Sequence, residues 1–156
     1  MRVAFIEDIL RFSIPLGITG IGAMLREAGH EVEVFVANKL EKTLSEVKAY
    51  APDVVAFSVI SGCHQGYYAI ARAVKDLLGV PTMWGGPHPT FFPEMIELPW
   101  VDAVCIGEGE EAVLKFADAF DAENVRLKRS EKFCPQGYAE IKITDCLEPF
   151  VITIKG

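Results

Sequence analysis

Two adjacent glycines, Gly85 and Gly86, follow a short apolar run and lead directly into Pro87, His88 and Pro89. Because glycine has no side chain, a flat ligand can approach the backbone here, while the two prolines stiffen the exit. A tight turn between a strand and a helix explains the same residues without any ligand. His88 has the same two interpretations, a hydrogen bond to a ligand or a structural contact within the turn.

Serines and further glycines follow two other apolar runs. Ser58 and Ser61 come after one run, and Gly107, Glu108 and Gly109 come after another. A hydroxyl group can donate and accept hydrogen bonds, and glycines clear space beside a strand. Glu108 can accept hydrogen bonds from ligand amides, or it can be the acidic residue that stabilises the start of a helix. Together with the double glycine, these residues form the candidate ligand-binding loops.

An acid–base group is a different kind of chemistry that the chain offers. Glu7, Asp8, His88 and Glu108 supply three carboxylates and an imidazole, which are common groups for proton transfer. Catalysis of this kind would require the carboxylates to converge and at least one of them to have a shifted pKa. A small acid–base enzyme is therefore kept as one alternative.

The apolar runs alternate with helical patterns along the chain, and the connections between them are short. This alternation predicts an α/β fold in which a parallel sheet is covered by helices on both faces. The predicted strands cover residues 3–6, 31–36, 54–59, 81–84 and 103–106, and the predicted helices cover residues 16–28, 40–50, 66–78, 92–98 and 110–120. A doubly wound, flavodoxin-like (Rossmann-like) five-stranded parallel sheet has the strand order 2-1-3-4-5 and binds ligands beyond the carboxyl ends of its strands, near the topological switch between strands one and three. All the candidate loops fall at that edge.

The second strand has a more regular alternation than the others. Val32, Val34 and Val36 alternate with Glu31, Glu33 and Phe35, which predicts a strand with one less buried face. Such a strand suits the edge of the sheet.

Beyond residue 120 the chain changes character. Residues 121–137 are rich in charges and are predicted to be a linker. In residues 138–156, two alternating stretches at 139–144 and 150–155 predict a C-terminal β-hairpin of unknown role. A lone hairpin is marginally stable in water, so we expect it to pack on the domain or to pair with another chain, as in a homo-oligomer.

Composition and charge exclude several classes of protein. The 156 residues carry a net charge of −7, which would repel a phosphate backbone, so nucleic acid is not expected as a partner. The apolar runs end well before the roughly 20 residues that a membrane span needs. The first residues lack the features of a secretory signal, so we expect a cytoplasmic protein. The four cysteines include no CxxC pair, which fits reduced thiols better than disulfides or a closed zinc site.

Two other functions of this fold class need residues that the chain lacks. A phosphorylation receiver needs an aspartate at the end of strand three and a lysine at the end of strand five, where this chain has Ser58 and Ile106. A dinucleotide site needs the order G-x-G-x-x-G in the first turn. Gly17, Gly20 and Gly22 give the order G-x-x-G-x-G within a helical pattern. Neither function is supported.

Five motifs of the chain resemble those of one known family. They are Pro15-Leu16-Gly17-Ile18, Arg26-Glu27-Ala28-Gly29-His30-Glu31-Val32, Pro52-Asp53-Val54-Val55 before Ser58, Gly85-Gly86-Pro87-His88-Pro89-Thr90 with Pro93-Glu94, and Cys105-Ile106-Gly107-Glu108-Gly109-Glu110-Glu111. On these motifs, residues 1–120 resemble the cobalamin-binding domain found N-terminal to many radical S-adenosylmethionine enzymes, including the methyltransferases among them.

The resemblance implies a cobalamin whose corrin ring lies across the carboxyl ends of the strands and whose nucleotide tail enters a slot beside the sheet. The residues it assigns to cofactor binding are Leu10, Pro15, Leu16, Gly17, Ser58, Ser61, Gly85, Gly86, Pro87, His88, Gly107, Glu108 and Gly109. A bulky residue at Gly86 is then expected to abolish binding while leaving the fold largely intact.

The lower ligand of the cobalt is where the chain departs from some relatives. Certain cobalamin domains supply a histidine through the motif D-x-H-x-x-G after strand one. When Asp8 is aligned with the aspartate, Leu10 stands at the histidine position and Ser13 at the glycine position. The resemblance therefore implies a cobalamin whose nucleotide base is displaced from cobalt (base-off) and is not replaced by a protein histidine.

The radical enzymes also carry a CxxxCxxC motif whose thiolates hold an iron-sulfur cluster, and this chain has no such triplet. Cys134 and Cys146 stand alone. We therefore expect a domain without its own cluster that presents cobalamin to a radical S-adenosylmethionine or methyl-transfer partner. A stand-alone module that senses cobalamin or another flat cofactor is the alternative from another class.

Overall fold

In this computed structural model, the described residues are 1–7, 16–119, 138–143 and 150–155, the last two ranges as backbone. The strands are β1 (Arg2–Glu7), β2 (Glu31–Val36), β3 (Val54–Ser58), β4 (Thr82–Gly85), β5 (Ala103–Ile106), β6 (Tyr138–Ile143) and β7 (Phe150–Lys155). The α-helices are α1 (Leu16–Glu27), α2 (Leu40–Tyr50), α3 (His64–Leu78), α4 (Pro87–Phe91) and α5 (Glu110–Ala119), and a 3₁₀ helix covers Pro93–Glu97.

The strands form one sheet in the order β2-β1-β3-β4-β5-β7-β6. The first five are parallel: Val3, for example, lies opposite Val32 on one side and Val54 on the other. This confirms the predicted flavodoxin-like sheet with the order 2-1-3-4-5. β7 runs antiparallel to both β5 and β6. The predicted linker 121–137 and residues 144–149 lie outside the described residues, and pairing of the hairpin with a second copy stays a prediction.

Each face of the sheet has its own apolar core because successive residues of a strand point to opposite faces. Val3 and Phe5 of β1 pack beneath α1 and α5, together with Cys105. Ala4 and Ile6 point the other way and pack beneath α2, α3 and the 3₁₀ helix. The near-continuous apolar runs of the inner strands reflect this double burial, which is typical of parallel sheets.

β2 lies at the edge of the sheet, as its alternation predicted. The valine face of β2 is only partly covered, because Val34 and Val36 are 39% and 45% exposed while Val32 is buried. An edge strand has a neighbouring strand on one side only. α1 covers Val32, whose side chain lies 3.6 Å from a Cβ built on Gly22. Valines further along the same face of β2 remain exposed.

Two helix boundaries differ from the sequence-based expectation. α3 begins at His64, two residues before the predicted start. The sequence predicts a loop up to Thr90 and a helix over residues 92–98. In the structure, the double glycine leads directly into a short helix, α4, and the 3₁₀ helix follows it. Pro87 occupies the first turn of α4, where the missing N–H of proline costs no hydrogen bond. No helix in the described part of the chain is both long and apolar enough to cross a membrane.

Candidate functional site

The carboxyl ends of β3, β4 and β5 open into a cavity of about 270 Å³, with α1 on one side and the start of α5 on the other. It is lined by Phe5, Gly17, Ile18, Ile21, Ala56, Phe57, Ser58, Met83, Gly85, Gly86, Pro87, Cys105, Gly107, Glu108, Gly109, Glu110 and Val113. Eight of the thirteen predicted site residues are therefore brought together: Gly17, Ser58, Gly85, Gly86, Pro87, Gly107, Glu108 and Gly109. The cavity lies where the sheet topology predicts a ligand site.

The glycines around the cavity have different physical roles. Gly86 has φ +91° and ψ −173°, a conformation that essentially only glycine adopts. A Cβ built on Gly86 would lie 3.0 Å from the nitrogen and 3.1 Å from the oxygen of Val59. At Gly85 the corresponding distance, to the Cβ of Cys105, is an ordinary 3.8 Å, and at Gly17 no atom lies within 4 Å. Our expectation that a bulky residue at Gly86 would leave the fold intact was therefore wrong.

Backbone hydrogen bonds hold the double-glycine turn against the end of β3. The N–H of Val59 donates to the carbonyl of Gly85, and the N–H of His88 donates to the carbonyl of Val59, each at 2.8 Å. These bonds fix the relative positions of the two strand ends. The close approach of Gly86 to Val59 follows from this pairing.

Thr90 connects the double-glycine turn to the loop after β5. Its hydroxyl donates to the carbonyl of Gly86 at 2.9 Å and accepts the N–H of Gly107 at 3.1 Å. The sequence shows Thr90 only as the end of the double-glycine motif and predicts no role for it. The spacing of 17 residues between Thr90 and Gly107 carries no local signal, so only the folded chain reveals the contact.

Cys105 contributes a buried thiol to the cavity wall. Burial raises the pKa of this thiol to about 12, with smaller contributions from the Glu110 and Glu108 carboxylates. The group is therefore a neutral thiol at physiological pH and behaves as a small apolar wall residue, as the sequence suggested. Glu108 is exposed and Glu110 half-buried, so the negative charge lies at the mouth of the cavity.

His88 lies outside this cavity, in a cluster on the α3 side of the sheet. It is 6% exposed, its Nδ1 is 3.2 Å from the hydroxyl of Ser61, and its Nε2 is 3.5 Å from the hydroxyl of Tyr68. The ring stacks on His64 at 4.3 Å between centroids. Burial, and then the neighbouring His64, lower the pKa of His88, while Glu94 opposes the shift. These contacts place His88 and Ser61 outside the cavity lining, and a role of either residue in binding the cofactor stays a prediction.

The remaining predicted residues fall near or beyond the limits of the described chain. Leu16 begins α1 and is 77% exposed, outside the cavity lining. Leu10 and Pro15 lie outside the described residues, as does Asp8 of the acid–base group. Across the described residues, no group of three or more histidine, cysteine, aspartate or glutamate side chains is placed to hold a metal ion.

Comparison with known proteins identifies the family. The model of the family described as the B12 binding domain matches residues 4–117. The chain belongs to the B12-binding domain family. The match includes most of β1, all of the other four parallel strands and every described residue of the cavity lining.

The relatives of this B12-binding domain are longer proteins. It is 34% identical over 112 residues to an uncharacterized methyltransferase of Pyrococcus horikoshii, which covers 67% of the chain and 24% of that protein. It is 29% identical over 94 residues to an anaerobic magnesium-protoporphyrin IX monomethyl ester cyclase of Cereibacter sphaeroides, covering 58% of the chain and 15% of that protein. The chain thus spans a quarter or less of these two relatives.

One solved structure supports the fold. The apo, selenomethionine-labelled cobalamin-dependent S-adenosylmethionine radical enzyme OxsB matches with a TM-score of 0.60 at 18% identity. The match covers 83% of this chain and 21% of that one. At this identity the likeness shows a shared fold.

Proposed function

We propose that this domain binds cobalamin at the carboxyl edge of its sheet and presents it to a radical S-adenosylmethionine or methyl-transfer partner. One observation carries the proposal: a glycine-lined cavity opens at that edge in a chain of the B12-binding family. When bound, cobalamin supplies a cobalt centre that can carry a methyl group. The described residues contribute binding and orientation.

The size of the cavity suits one part of cobalamin. Pockets for drug-sized ligands are about 300–1,000 Å³, and this cavity, at about 270 Å³, lies just below that range. It therefore suits the nucleotide tail, and the corrin ring would lie outside, over the strand ends. Gly85 and Gly107 would let the ring edge approach the backbone, while Glu108 would accept hydrogen bonds from corrin amides.

The lower face of the cobalt would have no protein ligand. Residues 8–15, between β1 and α1, contain no histidine. His88 is engaged by Ser61 and Tyr68 beneath the α3 side of the sheet. We therefore extend the proposal to a base-off cobalamin without a replacing histidine. The separate location of His88 also disfavours the acid–base alternative, which needs this residue beside Glu108.

The test is a spectroscopic titration of the purified chain with hydroxocobalamin, using two matched variants. Gly17 lines the cavity and Gly20 does not, although both lie in α1 and neither has an atom within 4 Å of a built Cβ. Gly17→Leu would fill part of the cavity and should weaken binding by about 5- to 150-fold, since overpacking costs about 1–3 kcal/mol. Gly20→Leu should bind like the original chain.

The outcomes separate the parts of the proposal. If the original chain shows no saturable binding, cobalamin binding is rejected. If both leucine variants bind equally well, the cavity is not the site. An absorption spectrum with the nucleotide base still on cobalt would reject only the base-off state.

A further inference from the structure

The side chains that line the interior of the cavity are mostly apolar, whereas its charged groups lie at the mouth. Its apolar lining among the described residues includes Phe5, Ile18, Ile21, Ala56, Met83, Val113 and the protonated thiol of Cys105. Among the described lining residues, Ser58 is the one neutral side chain with a hydroxyl group. The exposed Glu108 lies in the loop after β5, and the half-buried Glu110 is the first residue of α5. A group that enters the cavity thus meets methyl, methylene and aromatic carbon more often than hydrogen-bonding atoms.

We propose that this cavity selects among corrinoids by the chemistry of their lower base, favouring dimethylbenzimidazole over adenine. The inference rests on the proposed cobalamin binding and goes one step further, to the form of the cofactor. Dimethylbenzimidazole carries two methyl groups that match an apolar wall. Adenine carries an exocyclic amine and additional ring nitrogens, which lose their hydrogen bonds to water on entering such a site.

The carboxylates at the mouth act on the two kinds of polar group of adenine in opposite ways, because they can accept a hydrogen bond from its exocyclic amine. The ring nitrogens of adenine are hydrogen-bond acceptors, and carboxylates such as Glu108 offer them no donor. The thiol of Cys105 stays protonated and is only a weak donor. Because an apolar pocket discriminates through desolvation rather than through dedicated hydrogen bonds, the selectivity should be moderate. We expect cobalamin to bind about 10- to 100-fold more tightly than its adenine analogue.

Three corrinoids test this inference on the unmodified chain: hydroxocobalamin, the analogue with adenine as lower base, and cobinamide, which lacks the nucleotide. Cobalamin is expected to bind most tightly, at least about tenfold ahead of both others. Equal affinity for cobalamin and the adenine analogue would overturn the selectivity and leave cobalamin binding intact. Equal affinity for all three would show that the tail does not enter the cavity, which also overturns it. Absence of binding by all three would reject the proposed function itself.

Two valine-to-threonine variants of nearly unchanged shape test whether the cavity wall is the part of the protein that distinguishes the two lower bases. Val113 lines the cavity and is 4% exposed, while Val74 is fully buried in the core on the opposite face of the sheet. Val113→Thr adds a hydroxyl to the wall and should narrow the preference for dimethylbenzimidazole at least threefold. Val74→Thr makes the same change away from the cavity and should leave the ratio of the two affinities unchanged. Equal ratios in the two variants would overturn the assignment of the base to this wall.

Discussion

Replacing Gly86 by alanine tests how strongly the fold constrains the double-glycine turn. At φ +91° and ψ −173°, a side chain costs on the order of 1–3 kcal/mol in backbone strain. The new Cβ would also meet the Val59 nitrogen at 3.0 Å, the Ser58 hydroxyl at 3.1 Å and the Val59 oxygen at 3.1 Å. Two of these atoms belong to the backbone at the end of β3 and cannot rotate away. We expect Gly86→Ala to lower the free energy of unfolding by about 2–4 kcal/mol, measured by urea denaturation.

The adjacent residue supplies the control. A Cβ on Gly85 would make one ordinary contact, 3.8 Å from the Cβ of Cys105. Gly85→Ala should change the free energy of unfolding by less than about 1 kcal/mol, because an alanine that fits also reduces the entropy of the unfolded chain. If the two variants have the same stability, the strained turn does not constrain the fold and the explanation of Gly86 fails.

Three further predictions concern the two faces of the sheet. Because burial raises the pKa of Cys105 to about 12, iodoacetamide at pH 8 should leave this thiol unmodified in the native chain and label it after unfolding, as peptide mass spectrometry would show; rapid native labelling would contradict this. His88 has a pKa below its ordinary 6.5, so stability should be complete above pH 6.5 and should fall as the pH drops below it. In urea unfolding between pH 5 and 8, the free energy of unfolding should depend less steeply on pH for His88→Gln than for the original chain. Equal pH dependence of the two proteins would refute the attribution of this effect to His88. Ala56 lines the cavity, so Ala56→Val should lower the free energy of unfolding by less than about 1 kcal/mol. Ala4→Val, in the packed core on the opposite face, should lower it by about 1–3 kcal/mol. Equal losses of stability would show that no space exists beside Ala56.

The sheet could be predicted from sequence because its signals are local. β3 is a continuous apolar run between Pro52-Asp53 and a serine, and β4 ends at two glycines. Such runs, separated by helical patterns, leave few arrangements other than a parallel sheet. The edge position of the candidate loops then follows from topology, which is why most of them line one cavity.

Sequence patterns predict less where the outcome depends on distant residues. Val34 alternates as a buried strand residue should, but its burial depends on what covers an edge strand. His88 follows the double glycine closely, yet the helical turn of α4 and the ring of His64 place it on the α3 side of the sheet. The pattern near Gly86 indicated space for a ligand, although the backbone of Val59 already requires glycine there.

The cavity itself follows from the alternation of residue sizes along two strands. In β3, Phe57 packs on the α3 side while Ala56 faces the cavity, and in β4, Trp84 packs on the α3 side while Gly85 faces the cavity. The rings of Phe57 and Trp84 lie 4.6 Å apart, so the large side chains fill one face and fix the strand ends. The small residues leave space on the other face without weakening the sheet. A cavity of this kind therefore needs no long insertion, because the same strands that form the rigid core also form its walls.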